Sequence, residues 1–339
     1  MAAYRSSTSV RQSFWAPGRV NLIGEHTDYS GGLVLPVAIH LGIALVTEPA
    51  ERIALVSDDH SVELAADGSG QTQGWGRYVA AVAQELAALG RRAVGIQGAV
   101  DADLPQGAGL GSSGALEVVV ALALCAAADF EIESLDLALA CQRAERRAVG
   151  VPSGILDQAA SLLGRDGSAL LLDCGTLEHR WVQLPEDLAI LVVDSGERHT
   201  HEESGYADRR RQFEAGDPRR VRHVATENER VRAAVAAVER RDLKTLGSLF
   251  AASHASLRGD YEVSTPTLDR LVELALEAGA LGARLTGGGF GGSIVALAER
   301  ERAEEVLHRI VERTGTQGWV VRSAGGAIRY RTDSPRGRA

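Results

Sequence analysis

The stretch LPQGAGLGSSGALE, residues 104–117, places four glycines between a predicted strand and a predicted helix. Glycine lets the backbone approach a ligand closely, and the first turn of a helix presents unpaired N–H groups with a partial positive charge. This pattern is typical of an anion site. Ser112 and Ser113 stand at the helix start, where one hydroxyl is a candidate Mg²⁺ ligand beside the phosphates. A plain helix N-terminus after a flexible loop is the commoner explanation of an isolated glycine-rich turn.

On either side of this loop the sequence alternates predicted strands and helices. β-Forming runs occupy residues 11–66, and helical spacing over residues 74–89 precedes the strand that begins at Val94. Downstream of the loop, the apolar period predicts two helices with glycine stops, at Gly150 and Gly164.

The later part of the chain predicts a second α+β unit. Two strands precede helices that occupy most of residues 206–280. Residues 282–297 predict a strand, a glycine-rich turn and a strand, and a helix near 301–314 leads to strands near 318–330.

A polar stretch, APGRVNLIGEHTDYSGG over residues 16–32, lies between two β-forming runs. Each hydroxyl of a sugar both donates and accepts a hydrogen bond, so several donors and acceptors on one loop favour a polyhydroxylated ligand. Taken singly, each side chain is compatible with a solvated turn, and for His26 alone that explanation is the stronger one. The polar group consists of Arg19, Asn21, Glu25, His26, Asp28 and Tyr29.

Two carboxylates flank a tight connection between the helices that follow. Glu145 lies near the end of one helix and Asp157 near the start of the next, so both can point to one cavity. One carboxylate would then hold Mg²⁺ and the other would accept a proton from an attacking hydroxyl, as phosphoryl transfer requires. The alternative is structural: Glu145 pairs with a neighbouring arginine, and Asp157 complements the helix dipole.

The stretch LTGGGFGGSIVAL, residues 285–297, contains five glycines that would weaken an ordinary strand. We expect another group to approach this backbone closely, and a phosphate is one candidate. A hairpin turn explains the stretch equally well when it is considered alone.

Composition narrows the class of function. The net charge of -9 and the pI of about 5.6 argue against nucleic-acid and anionic-membrane partners. Lys244 is the only lysine and GxxxxGK[ST] is absent, which excludes a phosphate loop that depends on lysine. The lack of a long apolar run or an apolar leader predicts a cytoplasmic protein. Three cysteines without metal-ligand spacing predict reduced thiols.

Taken together and in this order, the four motifs closely resemble those of the galactokinases in the GHMP kinase superfamily. APGRVNLIGEHTDY is similar to the galactokinase signature, GAGLGSSGALE to the phosphate-binding motif and LTGGGFGG to the third superfamily motif. The resemblance extends over nearly the whole chain. The signature is its most specific part, because it separates galactokinases from mevalonate and homoserine kinases.

The resemblance implies an α+β fold of two domains with the active site between them. The N-terminal domain, expected over residues 1–185, would be of the ribosomal S5 domain 2-like type, and the C-terminal domain, over residues 186–339, would be ferredoxin-like. The implied activity is transfer of the γ-phosphoryl group of ATP to the C1 hydroxyl of galactose, with Mg²⁺. The implied partners are these small molecules alone, and the implied assembly is a monomer or weak homodimer.

Carried over position by position, the family pattern assigns catalysis to Asp157 and Arg19. The residues implied to contact the sugar are Arg19, Glu25, His26, Asp28, Gly154, Asp157 and Tyr206. The residues implied to bind ATP are Trp75, Tyr78, Gly107, Gly109, Gly111, Ser112 and Ser113, and those implied to hold Mg²⁺ are Ser113 and Glu145.

Two other functions stay open at this point. Galactokinase-like transcriptional inducers bind sugar and ATP without turnover, but they shorten the phosphate loop, which is full length here. A kinase for arabinose, an N-acetylated galactose or a uronic acid would keep the chemistry and change the substrate. The charged segment from Gly196 to Gly205 bears on that choice, and Gly111, Gly114 and Ala115 depart from the usual family motif.

Overall fold

The computed structural model describes residues 11–58, 60–105, 107–197 and 205–330. The strands in these ranges are β1 (Gln12–Asn21), β2 (Leu33–Val34), β3 (Pro36–Ala50), β4 (Arg52–Ser57), β5 (His60–Ala65), β6 (Gly95–Ala102), β7 (Ser168–Asp173), β8 (His179–Gln183), β9 (Leu188–Asp194), β10 (Gly282–Thr286), β11 (Ser293–Glu299), β12 (Gly318–Val321) and β13 (Ile328–Tyr330). The α-helices are α1 (Gly76–Ala88), α2 (Ser112–Ala127), α3 (Ser134–Val149), α4 (Leu156–Leu163), α5 (Tyr206–Glu214), α6 (Pro218–Glu239), α7 (Leu243–Ser256), α8 (Pro266–Ala278) and α9 (Ala303–Thr314). A π-helical turn, Leu257–Tyr261, continues α7.

The first half is built on a six-stranded sheet with the spatial order β13-β1-β3-β6-β4-β5. Helix α2 contacts β1 and β3 of this sheet as well as α1, α3 and α4. The α2 sequence is apolar on nearly every face, and such a helix is stable only when it is surrounded. Its residues 118–121 are fully buried. This packing fixes the position of the α2 N-terminus, where the glycine-rich loop ends.

A smaller sheet supports the helix that carries Asp157. Its three strands have the order β2-β7-β8, and Val34, Leu170 and Leu172 share a small core with Leu156 of α4. The beginning of α4 is therefore anchored by apolar packing on the side away from its polar residues.

The second half contains a four-stranded sheet with the order β10-β11-β9-β12. Strand β9 is buried at every position, because its two faces belong to two different cores. Successive side chains of a strand point to opposite faces. Leu188, Ile190 and Val192 pack in the first core, whereas Ala189, Leu191 and Val193 pack in the second.

The last strand pairs with the sheet of the first half. We expected residues 186–339 to form the second domain, but β13 pairs antiparallel with β1 of the first sheet, with Tyr330 opposite Ser13. This pairing covers backbone groups that β1 would otherwise expose at the sheet edge. The domain boundary near residue 185 stays a prediction.

The predicted strands, helices and glycine stops are otherwise present in outline. Helices α3 and α4 end directly before Gly150 and Gly164, and the helix after the glycine-rich loop begins at Ser112. All three cysteines are free thiols. None of the helices in the described ranges combines the length and the apolar character needed to cross a bilayer.

Candidate active site

Two adjoining cavities lie between the halves of the chain. The polar cavity is lined by residues of the signature loop (residues 19–29), by the α3–α4 connection and by Tyr206. The glycine cavity is lined by the glycine-rich loop (residues 107–113) and by residues 286–292. The residues that sequence resemblance assigned to the sugar all line the polar cavity: Arg19, Glu25, His26, Asp28, Gly154, Asp157 and Tyr206. Five of those assigned to ATP line the glycine cavity: Gly107, Gly109, Gly111, Ser112 and Ser113.

Arg19 and Asp157 form an ion pair on the wall that the two cavities share. Arg19 Nε and Nη2 both donate to Asp157 Oδ1, at 2.7 and 2.6 Å, and Arg19 Nη1 donates to the Gly109 carbonyl. The two side chains are 9% and 21% exposed. Because both N–H groups converge on Oδ1, the second oxygen of Asp157 has no bond to the guanidinium.

The glycine-rich loop is shaped by backbone rather than by side chains. Gly109 and Gly111 have φ angles of 71° and 74°, in the left-handed region that favours glycine. Gly111 directly precedes α2, whose first turn presents unpaired N–H groups at the glycine cavity. Residues 287–292 pack against this loop, and Ser293 Oγ donates to the Ala108 carbonyl at 2.7 Å. The group that approaches the third glycine motif is thus the backbone of the first.

Asp28 also lines the polar cavity. Burial and, to a smaller extent, the charge of Asp157 raise its pKa to about 7. Gly154 leaves room for this carboxylate, because a Cβ on Gly154 would overlap Asp28 Oδ2. The tight α3–α4 connection therefore needs glycine at this position.

His26 occupies the left-handed region, with φ of 61°, and both of its ring nitrogens have protein partners. Nε2 lies 3.2 Å from the Gly288 carbonyl, and Nδ1 lies 2.9 Å from Tyr29 Oη, which in turn lies 2.6 Å from Tyr261 Oη. Burial lowers the pKa of His26 to about 3. A neutral ring must donate from Nε2 to the carbonyl and accept at Nδ1 from Tyr29. His26 is thus a wall of the cavity whose polar atoms hold protein groups.

Glu25 is fixed in a similar way. Its carboxylate pairs with Arg284 and accepts from Thr286 Oγ1 and from the Gly287 N–H, each at 3.1 Å. Arg284 is fully buried and lies 3.8 Å from a second carboxylate, that of Glu227. Burial raises the pKa of Glu25, and Arg284 opposes that effect. Sequence reasoning missed Arg284 and Glu227, although an arginine inside the apolar strand β10 was a signal of a buried partner.

Tyr206 closes the polar cavity from the second half. It begins α5, and its ring centroid lies 5.4 Å from those of His26 and Tyr29. Burial raises the pKa of its phenol well above the usual value, so the hydroxyl stays protonated at neutral pH.

Ser113 lines the glycine cavity and Glu145 lines the polar cavity, and their oxygen atoms meet where the two cavities adjoin. Ser113 Oγ donates to Glu145 Oε1 at 3.0 Å. A hydroxyl and a carboxylate are hard oxygen donors of the kind Mg²⁺ prefers, and this ion usually takes few protein ligands beside waters and phosphates. The pair fits such an ion. No group of three or more His, Cys, Asp or Glu side chains arranged for a metal occurs in the part of the chain that the structure describes.

Two other predicted positions lie elsewhere. Trp75 and Tyr78 are partly buried against the core of the first half and line neither cavity. Their assignment to adenine stays a prediction. Residues 198–204 of the charged segment lie outside the described residues.

Comparisons with known proteins point to one family. Residues 77–165 match the family of GHMP kinases N terminal domains, and residues 234–316 match the GHMP kinases C terminal family. Residues 2–49 match the galactokinase galactose-binding signature.

Curated relatives and solved structures agree with these matches. The galactokinase of Thermococcus kodakarensis is 39% identical over 323 residues, which cover 88% of this chain and 92% of that protein. The galactokinase of Streptomyces coelicolor is 38% identical over 352 residues, covering 91% and 90%. The structure of Lactococcus lactis galactokinase complexed with galactose superposes with a TM-score of 0.86 at 30% identity, over 96% of both chains.

The fold itself is shared more widely. The mevalonate kinase of Methanococcus jannaschii superposes with a TM-score of 0.74 at 18% identity, covering 94% of this chain and 100% of that one. This similarity supports the two-domain α+β architecture alone. With the curated relatives matched over nearly their full length, the chain belongs to the galactokinase family of the GHMP kinases.

Proposed function

We propose that this galactokinase-family enzyme transfers the γ-phosphoryl group of ATP to the C1 hydroxyl of galactose, giving galactose 1-phosphate and ADP. The observation that carries the proposal is the Arg19–Asp157 pair, which lines both the polar cavity and the glycine cavity. A sugar in the first cavity and a triphosphate in the second would meet at this pair.

In this proposal Asp157 orients the C1 hydroxyl and accepts its proton. The Asp157 oxygen not bonded to Arg19 is the natural acceptor, since both guanidinium N–H groups converge on the other one. Arg19 aims the carboxylate and offers a fixed positive charge to the phosphoryl oxygens as they approach. Phosphoryl transfer gains most of its acceleration from such positioning and charge neutralisation.

The glycine-rich loop would hold the phosphates of ATP. The N–H groups at the start of α2, together with the positive end of its dipole, suit an anion. Trp75 and Tyr78 remain our proposed contacts to the adenine.

Ser113 and Glu145 would hold Mg²⁺, because their oxygens already meet at 3.0 Å. When bound, the ion would neutralise charge on the phosphate oxygens.

On the sugar side, the proposal divides the polar-cavity residues into two groups. Asp28, Arg19, Asp157 and Tyr206 line the cavity and would contact the sugar hydroxyls. Glu25 and His26 shape the cavity while their polar atoms hold protein groups. Gly154 provides space. We further propose that the enzyme works in the cytoplasm on these small molecules alone, as a monomer or weak homodimer, which size-exclusion chromatography would test.

A coupled ADP-release assay with ATP and Mg²⁺ tests the proposal. Galactose would be compared with glucose, arabinose, N-acetylgalactosamine and galacturonate, and the site of phosphorylation would be assigned by NMR. We expect selective turnover of galactose at C1. Turnover of another sugar in preference would contradict the substrate, and binding of galactose without ADP release would contradict the enzyme.

A further inference from the structure

Below the glycine cavity, three polar side chains meet in the core. Glu117 of α2 and Gln158 of α4 are fully buried, and Glu145 of α3 is 6% exposed. Gln158 Nε2 donates to Glu117 Oε2 at 2.8 Å and to Glu145 Oε2 at 3.1 Å. The other oxygen of Glu145 accepts from Ser113. One amide group therefore bridges two buried carboxyl groups that come from different helices.

No arginine, lysine or histidine of the described ranges forms an ion pair with Glu117 or Glu145. An ionised carboxylate buried without a cation is costly, so one of two neighbouring carboxyl groups is expected to be neutral. Burial, followed by the charge of Glu145, raises the pKa of Glu117 well above its usual value.

Two buried oxygen atoms without a hydrogen-bond partner indicate how a neutral Glu117 would bond to Gln158. Glu117 Oε1 and Gln158 Oε1 are both buried without a hydrogen-bond partner, and they belong to the two side chains that already share one bond. A protonated carboxyl can donate from one oxygen and accept at the other. A neutral Glu117 would donate from Oε1 to Gln158 Oε1 while its Oε2 accepts from Gln158 Nε2, and the second amide hydrogen would remain for Glu145.

We propose that Gln158 and Glu117 are positioning residues, which hold the Glu145 carboxylate in the direction it needs to bind Mg²⁺ with Ser113. The inference rests on the proposed function, because it assumes that Glu145 is a metal ligand. Glu117 fixes the orientation of the Gln158 amide, and the amide fixes the orientation of the Glu145 carboxylate. Residues that orient a ligand in this way typically change metal affinity by roughly tenfold to a hundredfold when they are lost.

The contact between Glu117 and Gln158 also lies next to Asp157. Gln158 directly follows Asp157 at the start of α4. On the α2 side, Gly114 lies so close to α4 that a Cβ there would come within 2.7 Å of Asp157 Cβ. Helices α2 and α4 therefore touch at two neighbouring points: Gly114 against Asp157, and Glu117 against Gln158.

The test compares the affinity for ADP with Mg²⁺ and with EDTA, measured by titration calorimetry without sugar. The variant Gln158→Met keeps the volume of the side chain and removes both donors to the carboxyl groups. We expect it to lose roughly tenfold or more of the affinity for ADP with Mg²⁺, and little of the affinity in EDTA. A merely structural defect would lower both affinities together, and a variant that kept the full effect of Mg²⁺ would overturn the proposal.

Glu117→Gln gives an independent result. Glutamine keeps the shape of the neutral acid and can make the same paired bonds, so we expect the Mg²⁺ effect to change less than threefold. A loss as large as in Glu145→Ala would make Glu117 an ionised ligand and contradict the neutral pair. If Gln158→Met fails to fold, this variant still decides the question.

Two controls separate the causes. Ser161→Ala, on the same helix, removes the buried bond from Ser161 Oγ to the Pro17 carbonyl and leaves the Glu145 cluster intact. It should lower thermal stability without changing the Mg²⁺ effect. Galactose turnover by the wild-type enzyme is measured alongside: its absence would refute the proposed reaction, whereas the comparison of ADP affinities would still decide the positioning role.

Discussion

The signature loop and the glycine-rich loop border one active site, yet different forces hold them. Buried side chains fix the signature loop: the Glu25 carboxylate lies on Arg284, and the His26 ring bridges Tyr29 and Gly288. Positive φ angles and backbone contacts fix the glycine-rich loop. A sugar hydroxyl is recognised by the direction of side-chain donors and acceptors, whereas a phosphate is recognised by N–H groups that any backbone can present. Buried side-chain interactions therefore stabilise the signature loop, whereas backbone conformation and backbone contacts stabilise the glycine-rich loop.

The largest effect should come from a change at Asp157, which lines both cavities. Asp157→Ala should lower turnover by about two to four orders of magnitude, the usual contribution of a general base. ADP-release kinetics measure the loss, and calorimetry should find that ATP still binds. Asp166→Ala is the matched control, because Asp166 is exposed just beyond the same helix and accepts from Ser323 Oγ at 2.7 Å. Similar turnover in both variants would remove Asp157 from the mechanism.

Loss of the buried Arg284 cation should destabilise the signature loop, because Arg284 pairs with Glu25 of that loop. Arg284→Met leaves Glu25 and Glu227 buried without their common partner, which should cost about 3–5 kcal/mol of unfolding free energy. Urea unfolding measures this loss. Arg309→Met, which breaks an exposed pair with Glu305, should cost less than about 1 kcal/mol. Equal losses would mean that the buried network adds nothing beyond a surface pair.

A backbone change in the glycine-rich loop should instead lower the turnover rate more than it lowers the free energy of unfolding. In Gly111→Ala, the positive φ costs roughly 1–2 kcal/mol, and the new Cβ lies 3.1 Å from Arg19 Cγ and 3.3 Å from Asp157 Oδ2. Displacing that pair should lower kcat by about tenfold to a hundredfold.

The control for this prediction is Gly315→Ala. Gly315 has a φ of 67° at the end of α9, and its Cβ would meet nothing within 4 Å. Urea unfolding should find similar losses of stability in the two variants, while the ADP-release assay finds lower turnover only in Gly111→Ala. A normal rate in Gly111→Ala would separate the loop backbone from the placement of the ion pair.

The same contrast explains how much of the site the sequence predicted. The signature and the glycine-rich loops are contiguous motifs, so resemblance to a known family could name residues of these segments that line the two cavities, but it also named Trp75 and Tyr78, which line neither. Motifs do not reveal partners that lie far away in the chain. Arg284 follows Glu25 by 259 residues, and Gln158 follows Glu117 by 41.

Periodicity was similarly limited. It predicted a strand that begins near residue 282 and a helix after the glycine-rich loop, but it could not say which polar side chain satisfies Arg284 or Glu117. It also could not assign β13 to the first sheet, since pairing with β1 depends on an open edge and not on the three residues of the strand themselves. Helix and strand patterns report burial, whereas polar partnerships and sheet order arise only when distant segments meet.

The smallest effect we predict is a pH dependence confined to the signature loop. The pKa of Asp28 in the folded protein is about 7, above its usual value, because burial and the charge of Asp157 favour the neutral form. A carboxyl with a raised pKa contributes most to stability at low pH, and its contribution falls as the pH rises toward 7. The unfolding free energy of the wild type, relative to Asp28→Asn, should thus fall by about 2 kcal/mol between pH 5 and pH 7. Urea unfolding of both proteins across this range measures the difference. A difference that rose with pH would mean that Arg19 stabilises an ionised Asp28, and the signature loop would then carry one more charge at neutral pH than we infer.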